Sequence, residues 1–139
     1  MNQLQAPISI GELIDKITIL EIKCELISDP GKLENVRREL RLLSDVWKAS
    51  PQAAIDIADL RTALRGINER LWGIEDAIRE KERLAAFDDE FVELARSVYL
   101  TNDERARLKR EINQRTGSEL VEEKSYADYQ RRGEGSSAL

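Results

Sequence analysis

The sequence predicts an all-α protein, an antiparallel helical bundle of about five helices, the long ones coiled-coil-like. Three observations predict it. Apolar residues recur at alternating spacings of three and four along most of the chain. Only three prolines and seven glycines interrupt it. Aromatic residues make up 5%, and the β-branched and aromatic runs that mark strands are missing.

The elements follow in order. Ser9-Ile10-Gly11-Glu12 has the form of a capping box and opens helix one, which runs to about Ile27. Asp29 is suited to cap a second helix, with Pro30 at its first position, and this helix runs to about Ala49. Ser50-Pro51 repeats the device and predicts a third helix to about Ala86. That helix would be about 35 residues and about 50 Å long at 1.5 Å per residue. Asp88-Asp89 predicts a short fourth helix ending near Leu100. Thr101-Asn102-Asp103-Glu104 reads as a second capping box that opens helix five, and Gly117 ends it. Residues 1–126 thus read as one helical domain and 127–139 as a flexible C-terminal tail.

The seams carry the fold prediction. Ile10, Leu13, Ile17, Leu20, Cys24 and Ile27 form one in helix one, and Leu33, Val36, Leu40, Leu43 and Trp47 form another in helix two. In helix three the seam holds for seven positions, Ile57, Leu60, Leu64, Ile67, Leu71, Ile74 and Ile78. A mean spacing of 3.5 keeps each stripe facing a partner helix. Short connections make successive helices antiparallel. Helix three is long enough to project beyond the first two.

Composition narrows the function. Net charge is −5, with 22 basic and 27 acidic residues interleaved along the chain. A nucleic-acid binder would show a basic excess, so the charge argues against nucleic acid. The chain has no histidine and one cysteine, Cys24. Zinc sites, Cys–His nucleophiles and Ser–His–Asp triads are therefore excluded, as is an intramolecular disulfide. No metal or cofactor is expected. No apolar run reaches the roughly 18 to 20 residues that span a bilayer, and no signal peptide opens the chain. A cytoplasmic protein off the membrane is the expectation. Phosphate-binding glycine motifs are absent. Glu90-x-x-Glu93 and Glu119-x-x-Glu122 supply only half the carboxylate pattern of helical, magnesium-dependent nucleotide pyrophosphohydrolases.

Helix one is apolar on a second face too, through Ile8, Ile19, Ile22 and Leu26. Such a helix is either central in a bundle or part of an interface. The second option is why a homo-oligomer, first of all a dimer, is expected, with a further protein partner possible. Two acids fall inside these faces, Asp15 and Glu21. A carboxylate there must be paired, protonated or bound to something. Glu21 is read either as half of a structural pair with Arg61 or Arg65, or as a functional acid holding a cation or a guanidinium. On helix three, Asn68, Trp72 and Glu75 suggest a polar pocket with an aromatic wall, or residues that fix bundle register. Arg96, Tyr99, Asn102 and Asp103 cluster at the expected start of helix five, where an anion site competes with plain capping.

Four segments, 8–23, 68–76, 91–99 and 102–126, resemble a family of small bacterial proteins defined as a domain of unknown function. The first runs Ile8-Ser9-Ile10-Gly11-Glu12-Leu13-Ile14-Asp15-Lys16-Ile17, and the second Asn68-Glu69-Arg70-Leu71-Trp72-Gly73-Ile74-Glu75-Asp76. The third is Phe91-Val92-Glu93-Leu94-Ala95-Arg96-Ser97-Val98-Tyr99, and the last ends at Glu122-Glu123-Lys124-Ser125-Tyr126. The resemblance implies a bacterial, stand-alone intracellular domain, and brings no activity, cofactor or catalytic residue. The functional expectation is therefore a helical module that self-associates through helix one or the projecting end of helix three. The alternative is a small-ligand binder or carboxylate-based enzyme centred on Glu21.

Overall fold

Residues 2–129 are described by the structure, a computed structural model. It contains α1 (Ile10–Leu26), α2 (Pro30–Ala49), α3 (Ala58–Arg83) and α4 (Asp89–Thr116), with a 3-10 turn at Pro51–Ala54. No strand occurs among the described residues.

Three of the predicted starts are built as the sequence suggests. The Ser9 hydroxyl accepts from the Glu12 N–H at 3.1 Å, and the Asp29 carboxylate accepts from the Lys32 N–H at 2.9 Å. Asp88 accepts from the Phe91 N–H at 3.0 Å. Each satisfies one of the amides that a helix start leaves unpaired. Gly117 ends α4 in the left-handed conformation, φ 65°, which glycine adopts without a side-chain clash.

Two expectations are corrected. Helices four and five are one helix, so the described residues form four α-helices, not about five. Thr101-x-x-Glu104 is only a start signal; nothing between Asp89 and Thr116 is Gly or Pro, so nothing stops the preceding turns. The seam in fact runs unbroken through Phe91, Leu94, Val98, Thr101, Arg105, Leu108 and Ile112. Two polar residues in that register, Thr101 and Arg105, hide its continuity. The second correction concerns helix three, which does not start at Pro51. The chain makes a 3-10 turn, then Ile57 turns into the core at φ −122° and the Asp56 carboxylate accepts from the Ala58 N–H at 3.0 Å. α3 is therefore 26 residues long.

α3 and α4 form an antiparallel hairpin, joined across its length by Asp59–Arg115 at one end and Lys81–Asp88 at the other. α1 lies against this hairpin, antiparallel to α4, and α2 packs on α1. The core gathers Leu13, Ile14 and Ile17 of α1, Leu60, Leu64 and Ile67 of α3, and Leu108 and Ile112 of α4, with Ile57 from the turn. Leu40, Leu43 and Trp47 of α2 pack against it. α1 is thus central: it packs on α2, α3 and α4, and in its second apolar face Ile22 is 2% exposed, while Ile8 and Leu26 at the two ends stay exposed. Beyond the core the hairpin runs on alone. Residues 69–100 include no buried residue.

Candidate functional site

Asp15 is the most buried charged group, at 0% exposure. One turn and a half into α1, it faces the groove between α3 and α4. Its Oδ1 accepts from Asn68 Nδ2 at 2.9 Å and from Arg105 Nε at 3.0 Å, and its Oδ2 accepts from Arg105 Nη2. Lys109 Nζ lies 3.9 Å from Oδ2. The Asn68 amide also donates to the Thr18 hydroxyl at 3.0 Å, and that hydroxyl donates to the Asp15 carbonyl at 2.8 Å. Three helices therefore converge on one carboxylate, and the fork of Arg105 matches its two oxygens. This hydrogen bonding is the main reason that the pKa of Arg105 is raised, against the opposing effect of burial.

A second cation adjoins the first. Burial works against a charged Lys109, but its hydrogen bonds to Glu12 at 2.6 Å and Glu122 at 2.7 Å prevail and raise its pKa. Glu122 belongs to a strap, residues 118–129, that leaves α4 without regular structure and doubles back over it. The hydrogen bond from Lys109 is what most lowers the Glu122 pKa from its ordinary 4.5. The strap's anchorage is expected to be complete above pH 4.5 and below pH 10.5, the ordinary values of the two groups. It is lost as pH falls through the lowered Glu122 value or rises through the raised Lys109 value. Hydrogen exchange of residues 118–126, corrected for intrinsic rates, should be flat across neutral pH and rise at the acid end. A rise that begins near neutrality would refute this anchorage.

The α1 start is closed off by the same end of the molecule. The Ile10 N–H donates to Ser118 Oγ at 3.1 Å and the Gly11 N–H to Asn113 Oδ1 at 2.6 Å. With Ser9 on the Glu12 N–H, the first amides of α1 are already paired.

Residues 4–133 match a family of unknown function (DUF6165). The chain belongs to that family. No curated protein and no solved structure matches it. In this family member the match spans the four helices and the strap, so it includes every group of the Asp15 network.

The sequence-derived candidates separate into three groups. Asp15 and Asn68 are bonded directly to each other. Asn68, Trp72 and Glu75 line one side of an open cleft of about 530 Å³, at the notch where α1 leaves the projecting hairpin. Asn102 and Arg105 of α4 line its other side, with Ile19 and Ile22 of α1 at its base. Glu21 stands apart. It is on the rim, 3.5 Å from Arg61 and 3.9 Å from Arg65, the two arginines expected for a structural pair. At such distances, and partly exposed, these pairs contribute little. Glu21→Gln is expected to change folding stability by less than about 1 kcal/mol, as read by urea denaturation. A loss above about 2 kcal/mol would give Glu21 a larger role than these distances support.

Of the four residues expected at a helix start, Arg96, Tyr99 and Asp103 lie along one stretch of α4 and Asn102 faces away from them. Residues 101–104 lie inside α4, so no free helix-terminal amides exist there. Arg96 hydrogen-bonds Tyr99 and Glu93, which raises its pKa. Tyr99 packs on Tyr129 of the strap, ring centroids 5.1 Å apart, and Asp103 receives the Tyr129 hydroxyl, raising the Tyr129 pKa. Asn102 faces the cleft on the other side of the helix. The remaining tail, 130–139, lies outside the described residues.

Arg105 and Lys109 are the functional residues the sequence reading missed. Arg105 occupies a seam position between Thr101 and Leu108, and a cation in seam register calls for a buried carboxylate such as Asp15. Among the described residues no group of three or more Cys, Asp or Glu side chains is placed to hold a metal ion. The Asp15 oxygens are committed to donors, which suits positioning more than proton transfer.

Proposed function

We propose that this protein is an assembly module that self-associates through the projecting end of the α3–α4 hairpin. One observation carries the reading. The α3 seam is buried from Ile57 to Ile67 and only half-buried at Leu71, Ile74 and Ile78, although the apolar spacing is unchanged. Phe91, Leu94 and Val98 of α4 are half-buried opposite. At the tip Leu84 and Phe87 are exposed, Phe87 by 59%, and Val92 is 50% exposed. Two helices cannot cover a seam that a bundle of four would enclose, and a second hairpin would complete it.

Of the face of helix one that first suggested self-association, Ile22 is buried and only Ile8 and Leu26, at its two ends, are exposed, so the reading rests on the hairpin end. Charge gives the association a signature. Residues 69–100 carry nine carboxylates and five Lys or Arg, a surplus of four negative charges. Two such ends repel, and salt screens the repulsion, so self-association is expected to tighten as ionic strength rises. A basic partner would show the opposite dependence.

Light scattering on a sizing column is the direct test. Twice the 15.9 kDa chain mass is expected, the dimer fraction rising with salt. The double variant Phe87→Asp, Val92→Asp should be monomeric with an unchanged helical circular dichroism spectrum. A wild-type monomer at every salt and protein concentration would refute the proposal.

A further inference from the structure

The notch beside the Asp15 network has the chemistry of a ligand site, and its argument is independent of whether the hairpin pairs. Several polar groups that line it have no partner among the described residues. The Asn102 side chain makes no hydrogen bond among the described residues, and it is half-buried in mid-helix rather than on an outer face. Asn68 spends both its donor contacts on Asp15 and Thr18, which leaves its amide oxygen Oδ1 without a donor at the cleft floor. Arg105 uses Nε and Nη2 on Asp15, which leaves Nη1. The indole N–H of Trp72 is likewise unpaired. Asn68 and Trp72 sit on successive turns of α3 and Asn102 and Arg105 on successive turns of α4, and the hairpin brings all four to one volume.

Charge decides the class of ligand. Arg105 is neutralised by Asp15 beneath it, and Arg79 by Glu75 at 3.0 Å. Asp76 adds one negative charge at the rim. No cation is left over for phosphate or carboxylate. A free amine only donates, and two of the four open groups, Arg105 Nη1 and the Trp72 indole N–H, only donate as well, whereas a hydroxyl both donates and accepts. What remains is a set of donors and acceptors beside an indole: two carboxamides, the two N–H groups of Arg105 Nη1 and an indole N–H. Amides and guanidinium groups offer paired, planar contacts at the spacing of neighbouring hydroxyls. An indole face favours polarised C–H groups. We propose that the cleft binds a neutral, polyhydroxylated ring, a saccharide unit, stacked on Trp72 and held by Asn102, Asn68 Oδ1 and Arg105 Nη1. The Asp15 network acts as the positioning group: it holds Asn68 and Arg105 with one face toward the carboxylate and the other toward the ligand.

The test follows the Trp72 indole N–H resonance in the full chain, assigned by its loss in Trp72→Phe, during titration with neutral mono- and disaccharides. Inorganic phosphate, a neutral nucleoside and a quaternary ammonium salt are the competing probes. Saturable shifts with at least one saccharide are expected, with a dissociation constant of about 1 mM or tighter. Asn102→Ala should weaken that binding at least about tenfold. Because the Asn102 side chain bonds to none of the described residues, the same variant should not lower the melting temperature, which separates loss of binding from loss of structure. Shifts with phosphate, the nucleoside or the ammonium probe and none with saccharides would overturn the proposal. So would no shift with any probe, or saccharide shifts that Asn102→Ala leaves unchanged.

Discussion

Asp15→Ala is expected to lose about 3 to 5 kcal/mol of folding stability. The carboxylate is 0% exposed, and it is the shared partner of Arg105, Asn68 and, at 3.9 Å, Lys109. Alanine removes the acceptor and leaves a part-buried guanidinium opposite an apolar gap. The cost is then the desolvation of that cation and of the Asn68 donor, not merely a lost hydrogen bond. Arg105→Met leaves the reverse imbalance, a carboxylate at zero exposure with only the Asn68 amide and, 3.9 Å away, Lys109, and is also expected to be strongly destabilising. The double variant Asp15→Ala, Arg105→Met should lose less than the two single changes combined, because the pair vanishes together. Urea denaturation of the four proteins completes the cycle. Additive losses would show that the two side chains stabilise the fold separately, contrary to the bidentate geometry.

Gly11→Ala should lose about 3 kcal/mol, although alanine is the better helix former. A Cβ at position 11 would overlap the Lys109 carbonyl oxygen and come within 3.1 Å of its carbonyl carbon and 3.0 Å of Asn113 Oδ1. Backbone cannot move aside as a side chain does, so α1 would have to lift from α4. That lift would also break the 2.6 Å bond from the Gly11 N–H to Asn113 and shift Asp15, one turn further on, away from Arg105. Gly66 is the control. Nothing lies within 4 Å of a Cβ there, and Gly66→Ala in the middle of α3 should raise stability by about 0.5 to 1 kcal/mol. Melting temperatures of the two variants should therefore move in opposite directions. A neutral Gly11→Ala would mean that α1 and α4 are not in such close approach.

Much of this was legible in the residues. The 3-4 spacing of Ile57 to Ile78 gave the hairpin its length, and Asp29-Pro30 and Asp88 marked helix starts that the structure keeps. Asn68, Trp72 and Glu75 were readable as one group, since residues three, four and seven apart share a helix face. The Thr101-x-x-Glu104 signal misled because a capping box works only where the preceding turn ends, and nothing ends it before Thr101. Asn102 was singled out for the wrong neighbours: its partners across the cleft are on α1 and α3, far from Arg96 and Asp103 in function though near in sequence.

Helix content, caps, seams and the exclusion of histidine and thiol chemistry follow from the sequence alone, because local spacing and side-chain inventory decide them. Which acid is buried does not. Asp15 and Glu21 both lie within apolar faces of one helix, but only the packing of α4 puts Arg105 and Lys109 over the first and leaves the second at the rim. Likewise Gly11 is an ordinary glycine in the sequence, and becomes a contact point only when the backbone of Lys109 arrives 98 positions later. Burial and charge pairing are properties of groups brought together from distant positions, and that meeting is made by the tertiary structure.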